Sequence, residues 1–253
     1  MAYTRCRSEE QTDWGSQVQQ DYYISRKPEL LKRFDQEAQR WRPVMAAQYG
    51  DDFAETILKE AHQQFEILIP QLPYIGGDEN QLTHTLIDSA GCLALYEAMK
   101  AQSRTAEETG KVLYDAVMSR LGEPLPDLRP DQRLTEEQLM ERRRERAQRT
   151  QLRRYPQNWV YEFVQGEGEH FDYGYNFTEC GTQKLYHAQG ADELLPFFCF
   201  LDFAWSHVLG LGLSRTMTLG EGHGMCDHRF KKGRESEQDW PPPFLRPATR
   251  RQG

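Results

Sequence analysis

The chain has 253 residues, 38% of them hydrophobic, with 19 glycines. That is a globular composition, long enough to bury a core without disulfide or metal staples. Its net charge of −8 argues against a main role in binding phosphate backbones. No apolar run approaches membrane-spanning length and the first residues do not resemble a signal sequence, so a soluble, cytoplasmic protein is expected.

In chain order, residues 1–24 are polar without a sustained period and are expected to form an arm. From Pro28, the residues Leu30, Leu31, Phe34, Ala38 and Trp41 recur at helical spacing, and Pro43 is expected to break or kink that helix. A second helix is predicted from Asp52 to Pro70, with Phe53, Ile57, Ala61, Phe65 and Leu68 on one side. Leu72-Pro73-Tyr74-Ile75-Gly76-Gly77-Asp78 reads as a loop whose glycines allow unusual backbone angles. Thr83 and Thr105 are candidate caps for two further helices, ending near Met99 and Leu121. After a proline-containing connection, Thr135 opens a charged helix to about Arg154. Its arginines are partly offset by Glu137, Glu141 and Glu145 at helical spacing, which favours a solvated face over a site for an anionic partner.

The period changes after Pro156. Trp159, Tyr161 and Phe163, then Phe171, Tyr173, Tyr175 and Phe177 alternate about a Gly166-Glu167-Gly168 turn, as in an aromatic β-hairpin. Thr178 is a candidate cap for a helix to Gly190, and Asp192 for one running from Leu194 to Leu209. Leu213–Leu219 and Met225–Phe230 then read as two strands about a glycine-rich turn. The fold class expected is α+β: a helical N-terminal half packed on a C-terminal ββ-αα-ββ unit with a small antiparallel sheet. The regions are an arm at 1–24, helices over 25–154, an α+β region over 155–233 and a proline- and arginine-containing tail over 234–253, with 25–233 taken as one compact domain.

Five cysteines without a CxxC pair do not read as a disulfide framework. Cys6 and Cys92 look incidental. Cys180, Cys199 and Cys226 share residues 180–228 with His187, His207, His223 and His228. The helix from Leu194 is apolar nearly all round, so Asp202 within it is expected to be buried and to need a partner, a metal or a proton. Cys199, Asp202 and Ser206 share one helical face. Cys180 follows Thr178-Glu179, at a helix start where free amides and the dipole can lower a thiol pKa. Alternation puts Cys226 and His228 on one strand face and Asp227 and Arg229 on the other.

Two constellations follow from these residues. Cys180, Cys199 and Cys226 with Asp202 or a histidine would make a four-ligand zinc site, although no cofactor is the default expectation. Alternatively a cysteine acts as nucleophile, with His223 or His228 as base and Asp202 or Glu179 as proton donor. Spacing alone leaves both open.

Four stretches, Leu72–Gly77 with Asn80, Leu82 and Thr83, Tyr173–Cys180, Phe198-Cys199 with Asp202, and Gly222–Phe230, resemble in order the L-2-amino-thiazoline-4-carboxylic acid hydrolase family. The resemblance implies hydrolytic opening of a cyclic isothiourea to a carbamoyl-cysteine. Mapped onto this chain, Cys180 or a water held by Asp202 would attack, His223 or His228 would move protons, and Arg229 or the Gly76-Gly77 amides would hold a carboxylate. Tyr173 and Tyr175 would line the substrate pocket. His228 stands where the family is usually aromatic, and the helix over 135–154 looks like an enlarged connection. The expected partner is a small-molecule substrate, with neither nucleic acid nor membrane, and a homo-oligomer is allowed. The rival expectation is a non-catalytic sensor or binding module with structural cysteines and an apolar pocket behind the aromatic hairpin.

Overall fold

The computed structural model describes residues 22–123, 135–236 and 239–245. Cys6, nearly all of the 1–24 arm, most of the proline-containing connection and residues 246–253 lie outside them. The fold is α+β, and the chain divides into two compact units, one of residues 1–105 with 155–157 and one of residues 106–154 with 158–253. This division does not follow the compositional change near 154.

In the first unit, α1 (Lys27–Tyr49) has Pro28 in its first turn and buries Leu30, Phe34, Ala38, Trp41 and Met45. It runs through Pro43 instead of ending there. Proline costs an interior helix roughly 3 kcal/mol, but the same apolar stripe continues past it to the fully buried Met45, whose burial recovers about 1.5–3 kcal/mol. Gly50, at φ 92°, links α1 to α2 (Asp51–Leu68), where Phe65 stacks on Phe34 with ring centroids 4.9 Å apart. Helix α3 (Leu82–Ala101) is buried along most of its length. Thr83 lies inside it rather than capping it, and its hydroxyl donates to the Gly77 carbonyl at 2.8 Å.

The second unit starts with α4 (Ala106–Met118) and α5 (Glu136–Gln151). A reciprocal capping box of Thr135 and Gln138 opens α5. Strands β1 (Val160–Gln165) and β2 (Tyr173–Glu179), helices α6 (Gly181–Ala188) and α7 (Leu195–Val208), and strands β3 (Leu213–Ser214) and β4 (Cys226–Phe230) follow. All four strands join one antiparallel sheet in the order β1-β2-β4-β3. Helix α5 covers β1, where the buried Thr150 hydroxyl bonds both the amide and the carbonyl of Tyr161 at 3.1 Å. Gly110 of α4 lets α7 approach: a Cβ there would lie 2.6 Å from that of Phe197. Trp240 of the tail stacks on Phe197 at 6.1 Å, so this part of the tail is docked.

Two boundaries differ from expectation. Thr178 and Glu179 remain in β2, and Cys180 takes the capping position of α6, its Sγ accepting from the Gln183 amide at 3.5 Å. Cross-strand bonding wins here: the Thr178 hydroxyl donates to the Val160 carbonyl at 3.3 Å. The strand expected over 213–219 stops after two residues. Asp227 captures the donors that would have extended it, accepting from the Thr216 amide at 2.8 Å, the Met217 amide at 2.6 Å and the Thr216 hydroxyl at 2.6 Å.

Candidate functional site

Register determines what the sheet presents. Tyr161, Phe177 and Cys226 form one cross-strand row, Phe163, Tyr175 and His228 the next, and Gln165, Tyr173 and Phe230 the third. Directly opposed residues point the same way, so these side chains share one face. The opposite face of β4 carries Asp227 and Arg229, as alternation requires.

At the β4 edge of that row, His228 is buried, with Phe177 edge-on at 5.2 Å and Phe230 stacked at 6.3 Å. Its Nε2 lies 3.2 Å from Asp202 Oδ2. The same oxygen accepts from Arg215 Nη1 at 2.8 Å, and Arg215 Nη2 donates to the Cys199 carbonyl at 3.0 Å. Arg215 Nη1 also lies 3.4 Å from His228 Nε2, so that ring nitrogen faces both a carboxylate oxygen and a guanidinium donor. The His228 Nδ1 is buried and has no hydrogen-bond partner among the described residues.

Asp202 differs from expectation in one respect. Its side chain is 47% exposed, whereas Arg215 is 6% exposed. The apolar helix α7 leaves Phe198, Cys199 and Asp202 incompletely covered, so the carboxylate is anchored through one oxygen while still reached by solvent. Surrounding protein pushes its pKa up, but the hydrogen bond and charge of His228 and the charge of Arg215 outweigh this and hold it below the usual carboxylate range. Arg215 is displaced in the complementary direction: burial opposes its charge, and Asp202 more than compensates.

Burial raises all three late thiols. Cys180 is pushed up to about 11 despite the Gln183 and Thr182 amides that favour its thiolate. The expected lowering at the helix start is therefore overcome by desolvation. Cys199 and Cys226 are raised for the same first reason. The Cys226 sulfur accepts from the Leu219 amide at 3.2 Å and contacts the Thr218 hydroxyl at 3.6 Å. Gly220 packs against Cys199, where a Cβ would lie 3.0 Å from Sγ. Among the described residues no group of three or more His, Cys, Asp or Glu is arranged to hold a metal ion, Cys180, Cys199, Cys226 and Asp202 included.

Other expected residues are placed elsewhere. Glu179 is engaged by Arg153 and Lys184. His223 is exposed on the turn, its Nδ1 3.3 Å from the Thr218 carbonyl. Arg229 donates to the carbonyls of Tyr175 at 3.3 Å and His228 at 2.8 Å and to Asn176 Oδ1 at 2.8 Å, so it braces the sheet from behind. Gly76 and Gly77 are in the first unit, buried under rings: a Cβ on Gly77 would lie 2.8 Å from Tyr22 and one on Gly76 3.1 Å from Tyr155. Tyr173 and Tyr175 are on the sheet face that carries His228, their ring centroids 5.9 Å apart. Arg215 was not among the expected residues. Its signal was nonetheless present, as the only lysine or arginine between Lys184 and Arg229, beside an acid in an apolar helix.

A family model described as L-2-amino-thiazoline-4-carboxylic acid hydrolase matches residues 84–230. The chain belongs to this family. The L-2-amino-thiazoline-4-carboxylic acid hydrolase match contains Asp202, Arg215, His228, the three late cysteines and all of α5, whereas Gly76 and Gly77 precede it. Neither the curated proteins nor the solved structures give a match. Family membership supports a hydrolase on this scaffold.

Proposed function

We propose that the protein hydrolyses a small nitrogen- and sulfur-containing ring of the 2-amino-thiazoline-carboxylate type, with Asp202 as the central catalytic group. The observation that carries this is the state of Asp202: ionised, anchored through Oδ2 by Arg215 and His228, and open to solvent. A cyclic isothiourea is basic and carries an N–C–S carbon that resists attack by neutral water. An oriented carboxylate can hold its amidine nitrogen and take a proton from the attacking water. The water oxygen bonds to that carbon, a ring bond to nitrogen or sulfur breaks, and the proton passes to the departing ring atom, giving a carbamoyl-cysteine. His228 and Arg215, both bonded to Oδ2, hold the carboxylate in place while it takes up and returns the proton.

Water is the better-supported nucleophile. A Cys180 thiol pushed up to about 11 is almost wholly protonated at neutral pH and thus a weak attacker. The alternative of a non-catalytic binding module calls for a closed apolar cavity, and the 47% exposure of Asp202 favours the enzyme. The test is incubation of the full-length protein with L-2-amino-thiazoline-4-carboxylate and mass spectrometry of the product. Gain of one water is expected. An intact ring recovered bound to the protein would favour the binding module.

A further inference from the structure

We propose that Arg143, on the arginine-rich helix α5, is the group that binds the substrate's carboxylate; this rests on the ring-opening reading above and adds a specificity residue to the same site. The guanidinium of Arg143 lies 3.7 Å over the Tyr173 ring. Its neighbour Arg144 is paired with Glu141 and also donates to Gln165 Oε1 at 3.2 Å. Arg143 differs. Among the described residues its hydrogen bonding is limited to Met140 Sδ at 3.6 Å, so a half-buried cation faces the aromatic floor without an acid. Stacking uses the flat face of a guanidinium and leaves its N–H edge for a bidentate carboxylate.

The position suits the rest of the ligand. The charges of Arg143 and Arg146 both bear on the Tyr175 hydroxyl, and Tyr175 lies directly opposite His228 in the β2–β4 register. Adjacent strands are about 4.8 Å apart, so a carboxylate held at Arg143 on the β2 side is roughly one to two strand spacings from His228 on β4, whose Nε2 is 3.2 Å from Asp202. That is the scale of a five-membered ring bearing a carboxylate. A zwitterionic substrate would then lie across the floor with its anion on Arg143 and its amidine on Asp202. Two other cations of the unit are committed: Arg215 holds Asp202, and Arg229 braces backbone on the opposite face.

The test compares wild type, Arg143→Gln and Arg143→Lys as full-length proteins on L-2-amino-thiazoline-4-carboxylate and on 2-amino-2-thiazoline, which lacks the carboxylate. Steady-state kinetics and calorimetric binding are both measured. Arg143→Gln is expected to raise KM and Kd for the carboxylated ring by about 10–100-fold, the range of a lost charge-assisted hydrogen bond. For the ring lacking the carboxylate the change should stay within about threefold, with Arg143→Lys intermediate for the acid. Equal effects on the two ligands, or none, overturn the proposal, as does a wild type that binds neither. If Arg143→Gln fails to fold by circular dichroism, Arg143→Lys against the two ligands decides. Wild type that binds the acid through Arg143 without opening it would refute the reaction but not this assignment. Turnover indifferent to Arg143 would do the reverse.

Discussion

Asp202 is held through one of its oxygens by Arg215 and His228, and the sign of its titration follows. A carboxylate whose folded pKa is depressed contributes stability that is present above the unfolded value, about 3.9, and lost as pH falls through the folded value. The difference in urea midpoint between wild type and Asp202→Asn should therefore be constant above about pH 5 and shrink as pH falls toward 2. A difference that grows on acidification would contradict the lowered pKa of Asp202. The thiols carry a second expectation. With Cys180 pushed up to about 11, its alkylation by iodoacetamide at pH 8 should be much slower than that of an ordinary thiol and should rise toward pH 10. Cys180→Ser should retain ring-opening activity within about threefold, as water attack requires; loss of a hundredfold or more would restore the cysteine as nucleophile.

Elements explain why some of this was legible in sequence and some was not. The 3.6-residue recurrence of Leu30, Phe34, Ala38 and Trp41 and the alternation of Tyr173, Tyr175 and Phe177 gave helices and sheet because each pattern reports a single buried face. Alternation also placed Cys226 with His228. The same logic failed where side chains compete for backbone donors: Asp227 ends β3 and folds residues 215–218 against β4. That segment delivers Arg215 to Asp202, a contact spanning 13 residues that local periodicity cannot report. Asp227→Ala is accordingly expected to cost about 2–3 kcal/mol, measured by urea unfolding, and to lower kcat at least tenfold through a displaced Arg215. Unchanged stability and rate would show that residues 215–218 hold Arg215 without Asp227. Helix α5 is the converse case, since its charge pattern suggested a solvated face, yet Thr150 and Ala147 are buried and two of its arginines lie over rings of the sheet.

For the molecule as a whole, the acidic balance of −8 gives no hint of the local arrangement. The second unit places an anchored carboxylate on one side of an aromatic floor and an arginine-bearing helix on the other. In the same unit the Cys180 sulfur accepts from the Gln183 amide and the Cys226 sulfur from the Leu219 amide. What unites the family match, the register of the sheet and the open face of α7 is Asp202. The most direct test is hydrolysis of L-2-amino-thiazoline-4-carboxylate by wild type and Asp202→Asn, followed by mass spectrometry, with both proteins folded by circular dichroism. Removing an essential base should lower kcat by about a hundredfold or more; an Asp202→Asn enzyme turning over at the wild-type rate would contradict the central role given to this carboxylate.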